Sequence, residues 1–250
     1  MTKANPQRAD TLRSLPGWCL LLGLATGLVV HPDAKAIEGI TVSSGHHQLQ
    51  GSLCIPNGTG PFPAVVYHHG GLGQRIGGAP EDTCVALAAN GLVGIAVIRR
   101  PTRPLTGHLD DANAAVGYAK KLPSVDPQRI GVIGFSRGGL LAWQQAVGRR
   151  DLSAVVIMAP AVNAALDFND ASRIDVPVLV LVAENDTGSK YTRNRDTLRF
   201  TKQLIGALEQ ARRNVRAIIY PAYRPEGHSL FFKVRTQYWT DVIQFLKSTL

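Results

Sequence analysis

From residue 64 onward this chain alternates short apolar, β-branched runs with longer amphipathic stretches, and that alternation constrains its fold more than any other feature. The apolar runs cover residues 64–67, 92–98, 130–133, 154–158, 176–182 and 215–220. Each has the length and composition of a strand buried on both faces. Residues 80–90, 109–122 and 192–213, the stretch beginning at Leu140, and residues 229–247 read as helices. Pro80 and two acids open the first of them and Gly91 follows its end, while Asp110 and Asp111 open the second. Strands and helices in this order build a mainly parallel sheet with helices on both faces. Ahead of them, residues 37–42 and 48–55, joined around Ser43-Ser44-Gly45, read as an antiparallel strand pair. The connection over residues 159–175 is too short for a separate cap domain, so any site is expected to be open.

One junction in this pattern is distinctive. Residues 130–133 run into Gly134-Phe135-Ser136-Arg137-Gly138, a G-x-S-x-G pentapeptide, and then into Leu140-Leu141-Ala142-Trp143. A serine on so sharp a strand-to-helix turn stands clear of its neighbours, because the flanking glycines let the chains approach without clashing Cβ atoms. The following helix aims its first amides at the same place. Ser136 is therefore the candidate nucleophile; a serine that only caps the helix is the plainer alternative.

In open α/β sheets ligands sit at the carboxyl ends of the strands, and three further elements fall there. After residue 67 comes His68-His69-Gly70-Gly71-Leu72-Gly73, a turn whose backbone amides can meet a substrate oxyanion. Gly71 is the expected donor, with Leu72 as the fallback and the Arg137 amide as the second arm. After residues 176–182 come Glu184 and Asp186; Asp186 lies further into the loop and is the favoured acid. The last is Glu226-Gly227-His228-Ser229. Of seven histidines, only His228 follows both the serine and the acid and sits at a late strand end.

Taken with Asp126-Pro127-Gln128-Arg129 ahead of the elbow strand, these motifs make the chain, from about residue 48 to its end, resemble the α/β-hydrolases, and most closely their dienelactone hydrolase-like branch. The resemblance implies a nucleophile–acid–histidine order that maps onto Ser136, Asp186 and His228. It also implies hydrolysis of a small-molecule carboxylic ester through an acyl-enzyme. Dienelactone hydrolases proper carry cysteine in the elbow; serine at 136 moves the reading toward a serine esterase. No metal or organic cofactor is required by that chemistry, and neither zinc-type Cys/His spacing nor a phosphate loop is present. A serine peptidase of related fold would use the same three residues, but it often carries a large gating domain for which this chain is short. A non-catalytic binding protein on the same scaffold has no need of all three.

Composition bears on location and partners. Residues 1–36 begin with basic side chains, continue through a largely apolar stretch at 15–30 and end in Ala34-Lys35-Ala36, the pattern of an export signal. Cleavage after Ala36 would start the exported, periplasmic or secreted domain at Ile37; an uncleaved segment would anchor it to a membrane. Four basic and two acidic residues lie in that segment, so the net charge of +9 falls to +7 without it. The remaining basic residues are scattered and no nucleic-acid motif accompanies them. Cys54 and Cys84 would be the two cysteines left, either as a disulfide or as two buried thiols. Arg99-Arg100-Pro101-Thr102-Arg103-Pro104 leaves the carboxyl end of a strand. There Arg99 or Arg103 is expected either to recognise a negative group on the substrate, or else to be solvated or to pair with acids such as Asp110 and Asp111. Acyl and alcohol specificity and oligomeric state have no signature in the sequence.

Overall fold

A computed structural model of the protein describes residues 37–71, 74–102, 105–164 and 166–250. The segment expected to direct export, residues 1–36, lies outside them, as do Leu72 and Arg103. Among the described residues no helix is long and apolar enough to cross a membrane.

Eight strands form one sheet in the order β1-β2-β4-β3-β5-β6-β7-β8. They are β1 (Glu38–Ser44), β2 (His47–Cys54), β3 (Phe62–His68), β4 (Val93–Val97), β5 (Val125–Phe135), β6 (Ala154–Met158), β7 (Val178–Ala183) and β8 (Val215–Tyr220). β1 pairs antiparallel with β2 and β2 antiparallel with β4, and every other pairing is parallel. This is an α/β-hydrolase sheet with the antiparallel N-terminal pair expected from the sequence. The chain runs outward from β3 to β4, then returns across β3 to β5. The carboxyl ends of β3 and β5 therefore flank the point where strand order reverses, the usual crevice for ligands in such sheets.

Because side chains alternate along a strand, the parallel strands feed two cores. Val66, Ile95, Val132, Ile157 and Val180 face one layer, with Trp143 of α3 (Arg137–Gly148) and Leu204 of α4 (Thr197–Gln210). The same layer takes Ala115 and Val116 of α2 (His108–Ala119). Tyr67, Ala96, Ile133, Val156 and Leu181 face the other. There they meet Leu87 of α1 (Pro80–Ala88) and Tyr238, Val242 and Leu246 of α5 (Thr236–Thr249). Between β6 and β7 the described residues include only a short 3-10 turn, Phe168–Arg173. Cys54 and Cys84 are joined as a disulfide, which ties the end of β2 to α1 across a sequence separation of 30. The alternative of two separate thiols falls away.

Two helices differ from the sequence reading. α4 starts at Thr197 rather than near residue 192, because Asp196 accepts from the Arg199 amide as its cap and Arg193 and Asn194 hold positive φ. The closing helix is broken in two. Gly227–Phe232 forms a 3-10 turn, Arg235 is extended, and α5 begins only at Thr236. The break is held by Arg235, which donates to the carbonyls of Leu230 and Lys233, and by the Tyr238 hydroxyl, which also donates to Lys233.

Candidate active site

β5 ends at Phe135 and α3 starts at Arg137, so one residue, Ser136, makes the whole turn. It does so at φ 53° and ψ −112°, a strained conformation for a residue with a side chain. The surroundings hold it there: its amide donates to Met158 and its carbonyl accepts from Ala161, both across to the end of β6. The flanking glycines are demanded by close approach. A methyl on Gly134 would lie 2.1 Å from the Gly138 carbonyl oxygen, and one on Gly138 would lie 1.8 Å from that of His68. Arg137 is the first residue of α3, so its amide has no acceptor within the helix.

His228 reaches Ser136 from the 3-10 turn after β8. Its Nε2 lies 3.1 Å from Ser136 Oγ and its Nδ1 lies 2.8 Å from Asp186 Oδ2. Both Asp186 and His228 are almost wholly buried, at 1% and 3% exposure. Phe135 lies against the imidazole with ring centroids 4.9 Å apart, and Phe232 meets it edge-on at 6.1 Å. These bonds give Ser136, His228 and Asp186 one continuous hydrogen-bonded chain. Glu184, the other candidate acid, points elsewhere and accepts from the Ala222 amide at 2.9 Å.

Three residues that the sequence reading passed over set this geometry. Asn185 donates to the Tyr223 carbonyl and accepts from the Tyr223 amide, so one side-chain amide pins the loop after β7 to the loop after β8. Glu226 accepts from the His228 amide and starts the turn that carries the imidazole. Phe232 walls the site. An Asn beside an expected acid gives no sign in sequence of which backbone it will clasp.

The turn after β3 comes up against the elbow: a methyl on Gly70 would sit 3.1 Å from Ser136 Cβ. Gly71, the expected oxyanion donor, has φ +83°, and a Cβ there would collide with the Arg75 carbonyl. Arg99 departs from expectation. Rather than standing at a pocket rim, it is buried at 7% exposure and its guanidinium donates to the carbonyls of His69, Gly70 and Gly71. Its neighbour Arg100 pairs with Asp111 and the Ser44 hydroxyl, so this part of the loop holds structure together. Three histidines surround Arg99. Burial, with the nearby cation adding to it, lowers the pKa of His69 to about 3 and those of His68 and His108 to about 4. Burial also lowers Arg99 itself to about 10, so it remains a cation at neutral pH.

Fold and site together define an α/β-hydrolase with serine at the elbow. The chain belongs to the dienelactone hydrolase family, which it matches over residues 99–250, a span that takes in Ser136, Asp186 and His228. Among curated proteins it is similar to esterase EstD of Thermotoga maritima, 30% identical over 149 residues, covering 52% of this chain and 34% of that protein. It is also similar to acyl-coenzyme A thioesterase 3 of mouse, 28% identical over 138 residues, covering 53% of this chain and 31% of that one. The chain thus spans about a third of the length of these relatives. Among solved structures, an esterase of Pyrobaculum calidifontis superposes with a TM-score of 0.69 at 22% identity, covering 86% of this chain and 85% of that one. Dipeptidyl peptidase 4 of Porphyromonas gingivalis gives a TM-score of 0.68 at 19% identity over 86% of this chain and 35% of that one. At such identities these two likenesses speak for the fold alone.

Proposed function

We propose that the chain is an exported serine hydrolase that cleaves carboxylic esters through an acyl-enzyme. The observation that carries the reading is the hydrogen-bonded chain from Ser136 Oγ through His228 to Asp186 Oδ2. In the resting site Ser136 O–H donates to His228 Nε2, and His228 Nδ1–H donates to Asp186. His228 takes the serine proton as Oγ attacks the ester carbonyl, and the buried Asp186 carboxylate stabilises the imidazolium that forms. The amides of Gly71 and Arg137 receive the developing oxyanion. His228 then protonates the departing alcohol, and water, activated by the same imidazole, releases the acid. Esterase and thioesterase relatives support this class of reaction. Export is supported by the Cys54–Cys84 disulfide, a bond that persists in oxidising compartments.

Ser136→Ala is expected to lower hydrolysis of p-nitrophenyl esters by on the order of 10⁴-fold or more, because the three residues act as a unit. A fluorophosphonate probe should label Ser136 in the native protein and nothing in the variant. Labelling elsewhere, or full turnover in the variant, would overturn the assignment. A graded series of p-nitrophenyl esters and acyl thioesters would identify the acyl group. For export, the intact mass of the mature protein should correspond to a chain beginning at Ile37.

A further inference from the structure

The turn that carries Gly71 has an unusual support. Three successive backbone carbonyls, those of His69, Gly70 and Gly71, converge on one buried guanidinium, with distances of 3.1 Å from Gly70 and 2.7 Å from Gly71 to Arg99 Nη2. In a trans peptide the carbonyl oxygen and the following N–H point to opposite sides. A cation gripping the carbonyls of residues 69 and 70 therefore turns the amides of residues 70 and 71 away from itself. The Gly70 amide is already occupied by the Gly77 carbonyl at 2.7 Å. Among the described residues no acceptor meets the Gly71 amide.

The rest of the neighbourhood keeps the grip in place. Arg99 donates its own backbone N–H to His69 Nε2, so that nitrogen is unprotonated and the proton sits on Nδ1, which donates to the Gly70 carbonyl at 2.6 Å. His69 is thereby a neutral spacer between Arg99 and the turn. Positive φ at Gly71 completes the curl that lets neighbouring carbonyls face one point. Among the described residues no carboxylate is hydrogen-bonded to Arg99; the three carbonyl dipoles are what the cation has in place of one.

Building on the proposed ester hydrolysis, we infer that Arg99 is a positioning residue for the oxyanion site. It holds the carbonyls of residues 69–71 behind the turn so that the Gly71 amide faces the space above Ser136. Arg99 touches no substrate in this arrangement; its effect passes through the peptide units it grips. An oxyanion donor whose amide is free to rotate loses its preorganisation, and the loss falls on the transition state rather than on the bound ester.

Arg99→Gln and Arg99→Lys test this with a neutral p-nitrophenyl ester, with kcat normalised to the serines that a fluorophosphonate titrates. For the Gln variant kcat should fall about 10²-fold, with KM within about threefold of wild type. For Lys, a point donor that cannot fork between carbonyls, the fall should be about tenfold. Affinity for a trifluoromethyl ketone, which forms a tetrahedral oxyanion on the serine, should weaken in parallel with kcat/KM. Should Arg99→Gln fail to fold, Arg99→Lys carries the test alone. A raised KM with unchanged kcat would make Arg99 a substrate-binding residue and overturn the inference, as would unchanged ketone affinity in a folded variant. Were the wild type itself inactive on every ester, the proposed function would fail first; an active wild type with equally active variants refutes this inference only.

Discussion

His228 and His69 sit on facing loops of one sheet edge, yet their partners differ in sign. His228 has the Asp186 carboxylate against its Nδ1 and a serine hydroxyl against its Nε2. His69, with His68 and His108 close by, surrounds the Arg99 guanidinium and makes its bonds to backbone, while burial and that cation keep it neutral. The same imidazole thus bridges a carboxylate and a hydroxyl in one place, where we propose that it accepts a proton, and is a fixed neutral hydrogen-bonding block in the other. Both rings are buried, and burial is the main cause of the low His69 pKa; what differs is the charge beside each ring, which comes from a different strand: Asp186 from the end of β7, Arg99 from the end of β4.

Removing the carboxylate should bring the largest change. Asp186→Asn leaves the geometry nearly intact but offers His228 Nδ1 an amide, which favours the wrong tautomer at Nε2. Turnover of a p-nitrophenyl ester is expected to fall by about 10²–10⁴-fold with little change in melting temperature. A fall of only a few-fold would mean that the charge behind His228 is not what separates it from His69.

Acid should attack the other region. His69 and His68 have folded pKa values near 3 and 4, below the unfolded value of about 6.5. As pH falls below 6.5 the unfolded chain takes up protons that the folded protein refuses until pH 3–4. Stability tied to these groups is therefore whole above pH 6.5 and is lost progressively down to that window. Each histidine contributes a slope of about 1.4 kcal/mol per pH unit there. Urea unfolding of wild type and His69→Gln at pH 6 and pH 4.5 should show the variant losing about 2 kcal/mol less across the interval. Equal losses would place the titration of His69 in the ordinary range and erase the contrast with a buried neutral group.

What could be read from sequence follows from how local each feature is. Strand positions, the elbow and the order of Ser136, Asp186 and His228 were legible because apolar runs and glycine spacing are local signals with long-range meaning in an α/β sheet. Gly71 could be nominated from the turn it occupies. The grip of Arg99 on that turn could not, since an arginine after a strand reads as substrate-facing, solvated or paired with a nearby acid. Only the pairing of β3 with β4 brings it behind the turn that follows β3. The break in the last helix was hidden for a similar reason, because Arg235 and Tyr238 close it through backbone carbonyls that any sequence supplies. The disulfide lay between: the cysteine pair was visible, but not that β2 and α1 bring it together.

The smallest expected effect comes from Glu184, one residue beyond the end of β7 and two before Asp186. From sequence the two acids compete for the same role, and Glu184→Gln separates them by what each carboxylate touches. Glu184 Oε1 accepts one bond, from the Ala222 amide in the loop after β8. A glutamine keeps an oxygen that can accept that same bond, so the clasp between the two loops should survive while the charge is removed. Asn185 holds the same pair of loops through two further bonds to Tyr223, which guards the position of Asp186 even if the Glu184 contact weakens. Turnover is therefore expected to stay within about twofold of wild type, as for an exposed polar contact whose loss changes stability by about 0.5 kcal/mol or less. Kinetics of Glu184→Gln beside Asp186→Asn on the same ester give the contrast directly. A loss of more than about tenfold in the Glu184 variant would show that its charge, not only its oxygen, reaches His228, and the distinction between the two acids would fail.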